Sequence, residues 1–311
     1  MLARSYPLHR ASFRPLERRE ESSHYEVSTS FVDLRKQKGR VPAVKEKIGR
    51  TNWDKIVSEG SKVSFNSIIS RAYFKLDEIL KYCAIPLPKK SVHICESPGG
   101  FVQCICDAHS KQGNEEKWQW MAISKKGPPY PDFSKLPMHR GTFLDEVDVM
   151  DETQAEQLYS NIERGEACLA TADGASDMNH ADIEGEHFPL LLSQTKIAIF
   201  CVKPGGSLVI KFFEGGEQCT LHWIARMTTM FRETSIVKPF TSRSTNSELY
   251  FVGKGFVPPE DMEVDWEAPI FPSPEWESET RGYLDAIAKH QTDALRLAMR
   301  KALLFSFNQE A

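Results

Sequence analysis

The stretch Ser91–Gln103, SVHICESPGGFVQ, decides the fold. Its first residues, Ser91 to Cys95, make a short apolar run of strand character. Pro98-Gly99-Gly100 reads as a tight turn, and Phe101 to His109 as a helix. A strand that passes through glycines into a helix opens a βαβ unit, and in an open parallel sheet ligands bind beyond the carboxyl ends of the strands. Two glycines let the backbone approach a ligand closely, and Pro98 stiffens the chain before the helix N-terminus. The Gly-x-Gly-x-x-Gly fingerprint of dinucleotide folds is missing, as is the Gly-Lys-Ser/Thr of phosphate loops. A nicotinamide-dependent oxidoreductase therefore fails on glycine spacing.

Outward from this turn the alternation continues. Trp118 to Ile123, Met138 to Leu144, Ala167 to Ala172 and Ser207 to Phe213 read as further strands, with Glu248 to Val252 as a late, edge-type strand. Between them, His187 to Val202, stopped by Pro204-Gly205-Gly206, and Gln218 to Phe231 read as helices. Before the turn, Ile68, Ile69, Tyr73, Leu76, Ile79 and Leu80 recur at steps of three and four, which predicts an amphipathic helix carrying Lys75. Trp53, Ile56 and Val57 predict a shorter helical turn. Strands alternating with helices define an α/β fold: a doubly wound, mostly parallel sheet with helices on both faces.

The 311 residues can hold one large domain with appendages, and the net charge of −4 gives no global case for a nucleic-acid partner. The charge is uneven, however. Residues 1–55 carry thirteen Lys and Arg against seven acids, whereas acids lead after Val257. We expect residues 1–50 to be a basic, poorly ordered arm able to meet phosphate, residues 51–256 the main α/β domain, and residues 257–311 an acidic linker and a C-terminal helix from about Glu277 to Phe305, a surface for a protein partner. The first nineteen residues, with Glu17 as their only acid, also suit an organellar presequence, so a mitochondrial location is the alternative to nucleus or cytoplasm. Seven scattered cysteines read as reduced, buried hydrophobes, and no spacing points to a metal. No apolar run approaches the roughly 20 residues that cross a bilayer, so a soluble, intracellular protein is expected.

Four polar side chains stand out by position. Lys211 lies inside the apolar run SLVIKFF, Asp173 closes the run before Gly174, Lys75 rides on the first helix, and Glu248 opens the last strand. Charges at the ends of buried strands are costly unless they have a task. Taken singly, Asp173 before glycine is also turn chemistry and Lys75 a solvated helix residue.

SRAYFKLDEI, CESPGGFVQ, TADGASD, KPGGSLVIKFFEG and KPFTSRSTNSELYFVGKGF, in that order over residues 68 to 256, resemble the FtsJ/RrmJ-type RNA ribose 2′-O-methyltransferases. The resemblance implies a Rossmann-like methyltransferase sheet, S-adenosylmethionine as cofactor, and a catalytic tetrad at Lys75, Asp173, Lys211 and Glu248. A ribose hydroxyl needs a base or a strong polarising group, and a lysine can serve when its ammonium is destabilised, here by a second cation at Lys75. Asp173 would orient Lys211 and sit near the methyl donor; Glu248 would hold Lys75 or the ribose.

The same resemblance assigns Ser97, Pro98, Gly99, Gly100, Phe101 and Asp173 to the cofactor, with Asp148, in preference to Asp145, for its adenine. One departure stands out: Ser124 occupies the end of the second strand, where an acid usually grips the cofactor ribose. The Glu-Ser-Pro-Gly-Gly-Phe loop is most similar to the mRNA cap-methylating branch, so capped mRNA is the expected substrate. Ribosomal or transfer RNA is the runner-up, and an inactive RNA-binding scaffold of the same fold the reading from another class. Trp53, Tyr130 and Phe133 are candidates for stacking on a cap, and Arg243 for facing RNA.

Overall fold

The computed structural model describes residues 4–9, 27–58, 67–114, 117–175, 183–259, 264–266, 270 and 272–310. Eight strands form one sheet: β1 (Arg4–Leu8), β2 (Lys90–Ile94), β3 (Gln119–Ile123), β4 (Gly141–Leu144), β5 (Ala167–Ala172), β6 (Val202–Phe213), β7 (Phe231–Lys238) and β8 (Glu248–Phe256). Their order across the sheet is β1-β7-β8-β6-β5-β2-β3-β4. The links among β2 to β6 are all parallel, whereas β8 runs antiparallel to both β6 and β7, and β1 antiparallel to β7. This is the doubly wound, mostly parallel α/β sheet that the sequence predicts.

Helices α1 (Thr29–Ile48), α2 (Arg50–Ser58), α3 (Arg71–Tyr82), α4 (Gly100–Ser110), α5 (Glu152–Asn161), α6 (Ile183–Cys201), α7 (Gln218–Thr229) and α8 (Pro274–Glu310) cover the sheet. The two-residue period of the central strands divides the core. Leu208, Ile210 and Phe212 of β6, with Leu249 and Phe251 of β8, pack towards residues of α1, α6, α7 and α8. Val209, Tyr250 and Val252 point the other way, towards Leu76 and Ile79 of α3 and Phe101 and Ile105 of α4. Lys211 falls opposite Tyr250, and Phe213 opposite Glu248, so all four share the face that α3 covers.

Three expectations need correction. Residues 29–48, expected to be poorly ordered, form α1, whose Phe31, Leu34, Val41 and Ile48 are buried at helical spacing. Gln37 and Lys38 are buried on the same helix, so polar residues interrupt the apolar stripe that a period search relies on. The strand at Glu248 is interior, between β6 and β7, because Phe231–Lys238 supplies a further strand and Arg4–Leu8 another beyond it. Trp53, a candidate for stacking on a cap and so expected on the surface, is only 4% exposed and belongs to the core, whereas Tyr130 is exposed. Residues 10–26, which include Arg14, Arg18 and Arg19 of the basic arm, lie outside the described residues.

α8 begins at Pro274 and packs alongside α1; Leu284, Ile287, Ala288 and Leu295 face the core while Leu297, Leu303 and Leu304 stay exposed. Ser28 at the start of α1 donates to Asp285, and Arg296 pairs with Asp33 at 3.6 Å. All seven cysteines are free. Among the described residues no helix is long and apolar enough to cross a membrane.

Candidate active site

The site is built at the carboxyl ends of β2, β5 and β6, where the parallel strands leave a cleft. After β2 the chain turns through Glu96-Ser97-Pro98-Gly99 into α4, and Gly99, at φ 113°, is left-handed at the helix N-cap. Gly100 is required for a different reason: a Cβ there would stand 2.3 Å from Ser70 Oγ and 3.1 Å from the Tyr73 amide nitrogen. Its absence lets the turn lie against the start of α3, the helix that carries Lys75. Glu96 is buried, and its Oε1 accepts from the Phe101 and Val102 amides at 2.6 and 3.0 Å. Burial pushes the carboxyl of Glu96 up to about 8, against the pull of those amides.

Lys211 reaches Asp173 twice. Its Nζ stands 3.0 Å from Oδ1 and donates to the Asp173 carbonyl at 2.6 Å. Tyr250, its partner across the β6–β8 ladder, donates its hydroxyl to the same Oδ1 at 2.8 Å. Burial, then the charges of Asp173 and Glu248, push the Tyr250 hydroxyl well above its usual range, so it remains a donor. The second pair is Lys75 with Glu248, Nζ lying 2.8 and 2.9 Å from the two carboxylate oxygens. Burial alone would push the Lys75 ammonium down, but Glu248 and Asp173 outweigh it and hold it above its usual range. Burial likewise opposes ionisation of Glu248, yet Lys75, Lys238 and Lys211 hold its carboxyl well below the ordinary range.

All four residues singled out in the sequence thus come together, with Lys211 5% and Glu248 4% exposed. The glycine turn is adjacent: the Phe101 ring lies 6.5 Å from that of Tyr250, and the Asp173 amide donates to the Ile94 carbonyl at 3.2 Å.

Lys238 was not foreseen. It is half-buried and donates to Ser242 Oγ at 3.0 Å, to the Glu248 carbonyl at 2.8 Å and to the Asn246 carbonyl. Ser242 in turn donates to Glu248 Oε1 at 2.7 Å. Burial pushes this ammonium down to about 7, although Glu248 draws it upward. Tyr250 and Lys238 had legible signals: Tyr250 is two residues beyond Glu248, hence on its face of the strand, and Lys238 opens the KPFTSRSTNSE segment.

The residues assigned to the cofactor divide. Among the described residues, Ser97 Oγ is a buried hydroxyl with no partner, and so is Ser70 Oγ beside Gly100. Orphaned hydroxyls beside a glycine turn fit a polar ligand lodged there. Asp148 follows β4; the Lys125 ammonium at 2.7 Å and the Met150 amide hold its carboxyl below the ordinary range, against the effect of its partial burial. Asp145 is exposed. Phe101 has its ring wholly buried in the core and its amide bonded to Glu96. Ser124, standing where an acid was expected, is buried; its Oγ accepts from the Ser97 amide at 3.3 Å and its carbonyl from Val147 at 2.9 Å. It ties the turn to the end of β4.

Beside Phe213 and Ser247 a cleft of about 400 Å³ opens, walled by α1, α2 and the turn at 243–247, with Lys45 and Arg243 on its rim. Phe213 connects it to the tetrad, its ring centroid being 5.9 Å from Lys211 Nζ. Arg243 stands 3.5 Å from Asp54.

A Rossmann-like sheet thus sets its glycine turn beside two lysine–carboxylate pairs. The chain belongs to the FtsJ-like methyltransferase family, whose profile matches residues 68–256, more than half of its length. It is 33% identical over 108 residues to a cap-specific mRNA (nucleoside-2′-O-)-methyltransferase of Autographa californica nuclear polyhedrosis virus, a match covering 34% of this chain and 40% of that one. It is 26% identical over 226 residues to the tRNA (cytidine(32)/guanosine(34)-2′-O)-methyltransferase of Mus musculus, covering 72% of this chain and 66% of the relative. The match thus spans less than two thirds of either relative. A solved ribosomal RNA methyltransferase from Plasmodium falciparum aligns at 23% identity with a TM-score of 0.47, over 60% of this chain and 97% of that one.

Proposed function

We propose that the protein transfers a methyl group from S-adenosylmethionine to a ribose 2′-hydroxyl of RNA, with capped mRNA as the favoured substrate. The observation that carries this reading is the convergence of Lys75, Asp173, Lys211 and Glu248 from four separate elements beside the glycine turn. S-adenosylmethionine supplies an electrophilic methyl group. Ser97, Pro98, Gly99 and Gly100 would hold its methionine and ribose side, Asp148 its adenine, and Asp173 the neighbourhood of the sulfonium. Lys211, as the neutral amine, would take the hydroxyl proton. Asp173 and Tyr250 fix where its amine stands, and the Lys75–Glu248 pair gives the ribose a donor and an acceptor side by side. Gly100 keeps the donor turn and the Lys75 helix in contact, so the reacting groups approach within a closed, poorly solvated corner.

RNA would enter over the cleft between α1, α2 and Arg243, with exposed basic residues of the first fifty, Lys36 and Arg40 among them, meeting phosphates without reading sequence. The exposed leucines of α8 are the surface for a protein partner. Transfer RNA is the second reading, favoured by one observation: the match covers 66% of the tRNA-modifying relative but 40% of the cap-modifying one.

The test is to incubate the purified protein with isotopically labelled S-adenosylmethionine and, separately, capped RNA, uncapped RNA and tRNA transcripts, then to map labelled nucleosides by mass spectrometry. The expected product is a 2′-O-methylnucleoside next to the cap. Labelling confined to tRNA selects the second reading, and label on a base, or on no RNA, overturns both.

A further inference from the structure

The turn Asn246–Ser247 delivers Glu248 to the start of β8, and it is gripped from outside the family domain. Lys38 of α1, buried, donates to Ser247 Oγ at 2.6 Å and pairs with the carboxylate of Glu214, whose own amide donates to the Ser247 carbonyl at 3.2 Å. Gln291 of α8, 2% exposed, donates its Nε2 to the Asn246 carbonyl at 3.0 Å. Both helices lie beyond residues 68–256.

The fold goes to some length to bring them there. Gly215, at φ 97°, and Gly216 follow Glu214; a Cβ on the first would meet Leu284 of α8 at 2.8 Å, and one on the second Phe31 of α1 at 2.8 Å. A buried ammonium is a costly way to pack a helix that apolar residues would pack equally well. What Lys38 and Gln291 share is their destination. They end on the two consecutive residues whose backbone aims Glu248, while the carboxylate itself is engaged by Lys75 and Ser242.

We infer that Lys38 and Gln291 are positioning residues: through the Asn246–Ser247 turn they hold Glu248 against Lys75, so this chain's flanking helices complete the catalytic edge of the family domain. The inference rests on the proposed reaction. Neither side chain touches the donor turn, so their loss acts on the chemical step and leaves donor affinity alone.

The experiment uses the full chain with Gln291→Leu, Lys38→Met, Ser247→Ala and the Lys38→Met/Ser247→Ala double variant. It measures kcat and KM for RNA, donor affinity by calorimetry, and hydrogen exchange across residues 242–250. Gln291→Leu is expected to lower kcat about 3- to 10-fold, as one lost hydrogen bond does, with KM and donor affinity unchanged and faster exchange at 242–250. The double variant should lose no more kcat than the worse single variant, a non-additivity that mere packing of α1 would not produce. Full kcat in Gln291→Leu, or additive losses in the double variant, overturns the inference. Should the wild type transfer no methyl group, the proposed reaction fails, and the exchange data still decide: unchanged protection in Gln291→Leu and Lys38→Met overturns the clamp.

Discussion

Lys211 and Tyr250 face each other across the β6–β8 ladder and end on the same carboxylate oxygen, Asp173 Oδ1, at 3.0 and 2.8 Å. Among the described residues, an ammonium and a hydroxyl both reach Asp173 Oδ1, and no bond to its second oxygen competes with a ligand there. The two donors also fix the carboxylate plane against rotation. Tyr250→Phe removes one donor while keeping the ring that packs near Phe101. A hydrogen bond to a charged group is worth about 1.5–3 kcal/mol, so thermal stability should fall by that order and, with Asp173 less firmly held, kcat about tenfold. Wild-type turnover in this variant would remove Tyr250 from the working site.

Lys211 is tested by what its replacements can do with a proton. Lys211→Met keeps the length of the side chain among Ile210 and Phe212 and removes the amine. Losing a general base reduces turnover about 10²- to 10⁴-fold. Lys211→Arg should fail equally, because a guanidinium does not give up its proton. Calorimetry should find donor binding intact in both. Near-native turnover in either variant would end the assignment of Lys211 as base.

Glu248 links the site to acid stability. Its carboxyl is held below the ordinary range by Lys75, Lys238 and Lys211 despite burial. A carboxyl whose folded value is depressed contributes stability that is present above its unfolded value, near 4.5, and that disappears as the pH falls below it. Urea unfolding of the wild type should therefore lose stability steeply below about pH 4.5, and Glu248→Gln, less stable at neutral pH, should follow a flatter curve over the same range. Parallel curves for the two proteins would show that Glu248 is not the linked group.

The sheet and the tetrad were legible because each rested on a strong local signal: a lysine between Ile210 and Phe212, an acid before Gly174, a glycine pair between strand and helix. β7 was not, since Arg232, Glu233, Thr234 and Ser235 dilute its apolar character, and its place is set by pairing with β8. α1 was hidden by the residues that matter most in it. Lys38 sits on the buried face because Glu214 and Ser247, more than 170 positions away, supply its partners. No window of sequence contains that information. Phe101 shows a related ambiguity: a residue just beyond the glycines can serve the ligand or the core, and here its ring packs in the core while its amide donates to Glu96.

Gly39 and Gly216 separate helix propensity from close packing. Gly39 lies on the exposed side of α1, and a Cβ there would meet nothing within 4 Å. Gly39→Ala should raise stability by about 0.5–1 kcal/mol, through helix propensity and the lower entropy of the unfolded chain. Gly216 has the opposite surroundings. An added Cβ would stand 2.8 to 3.1 Å from the Phe31 ring, which is 3% exposed and has no space into which to swing. Gly216→Ala must push α1 away from the end of β6, and such overpacking costs about 1–3 kcal/mol. Because α1 carries Lys38, the same variant should also lose part of its methyl-transfer rate, whereas Gly39→Ala should keep all of it. Thermal denaturation and turnover measured on both variants provide the check: if Gly216→Ala proves as stable and active as the wild type, α1 is not seated on that glycine.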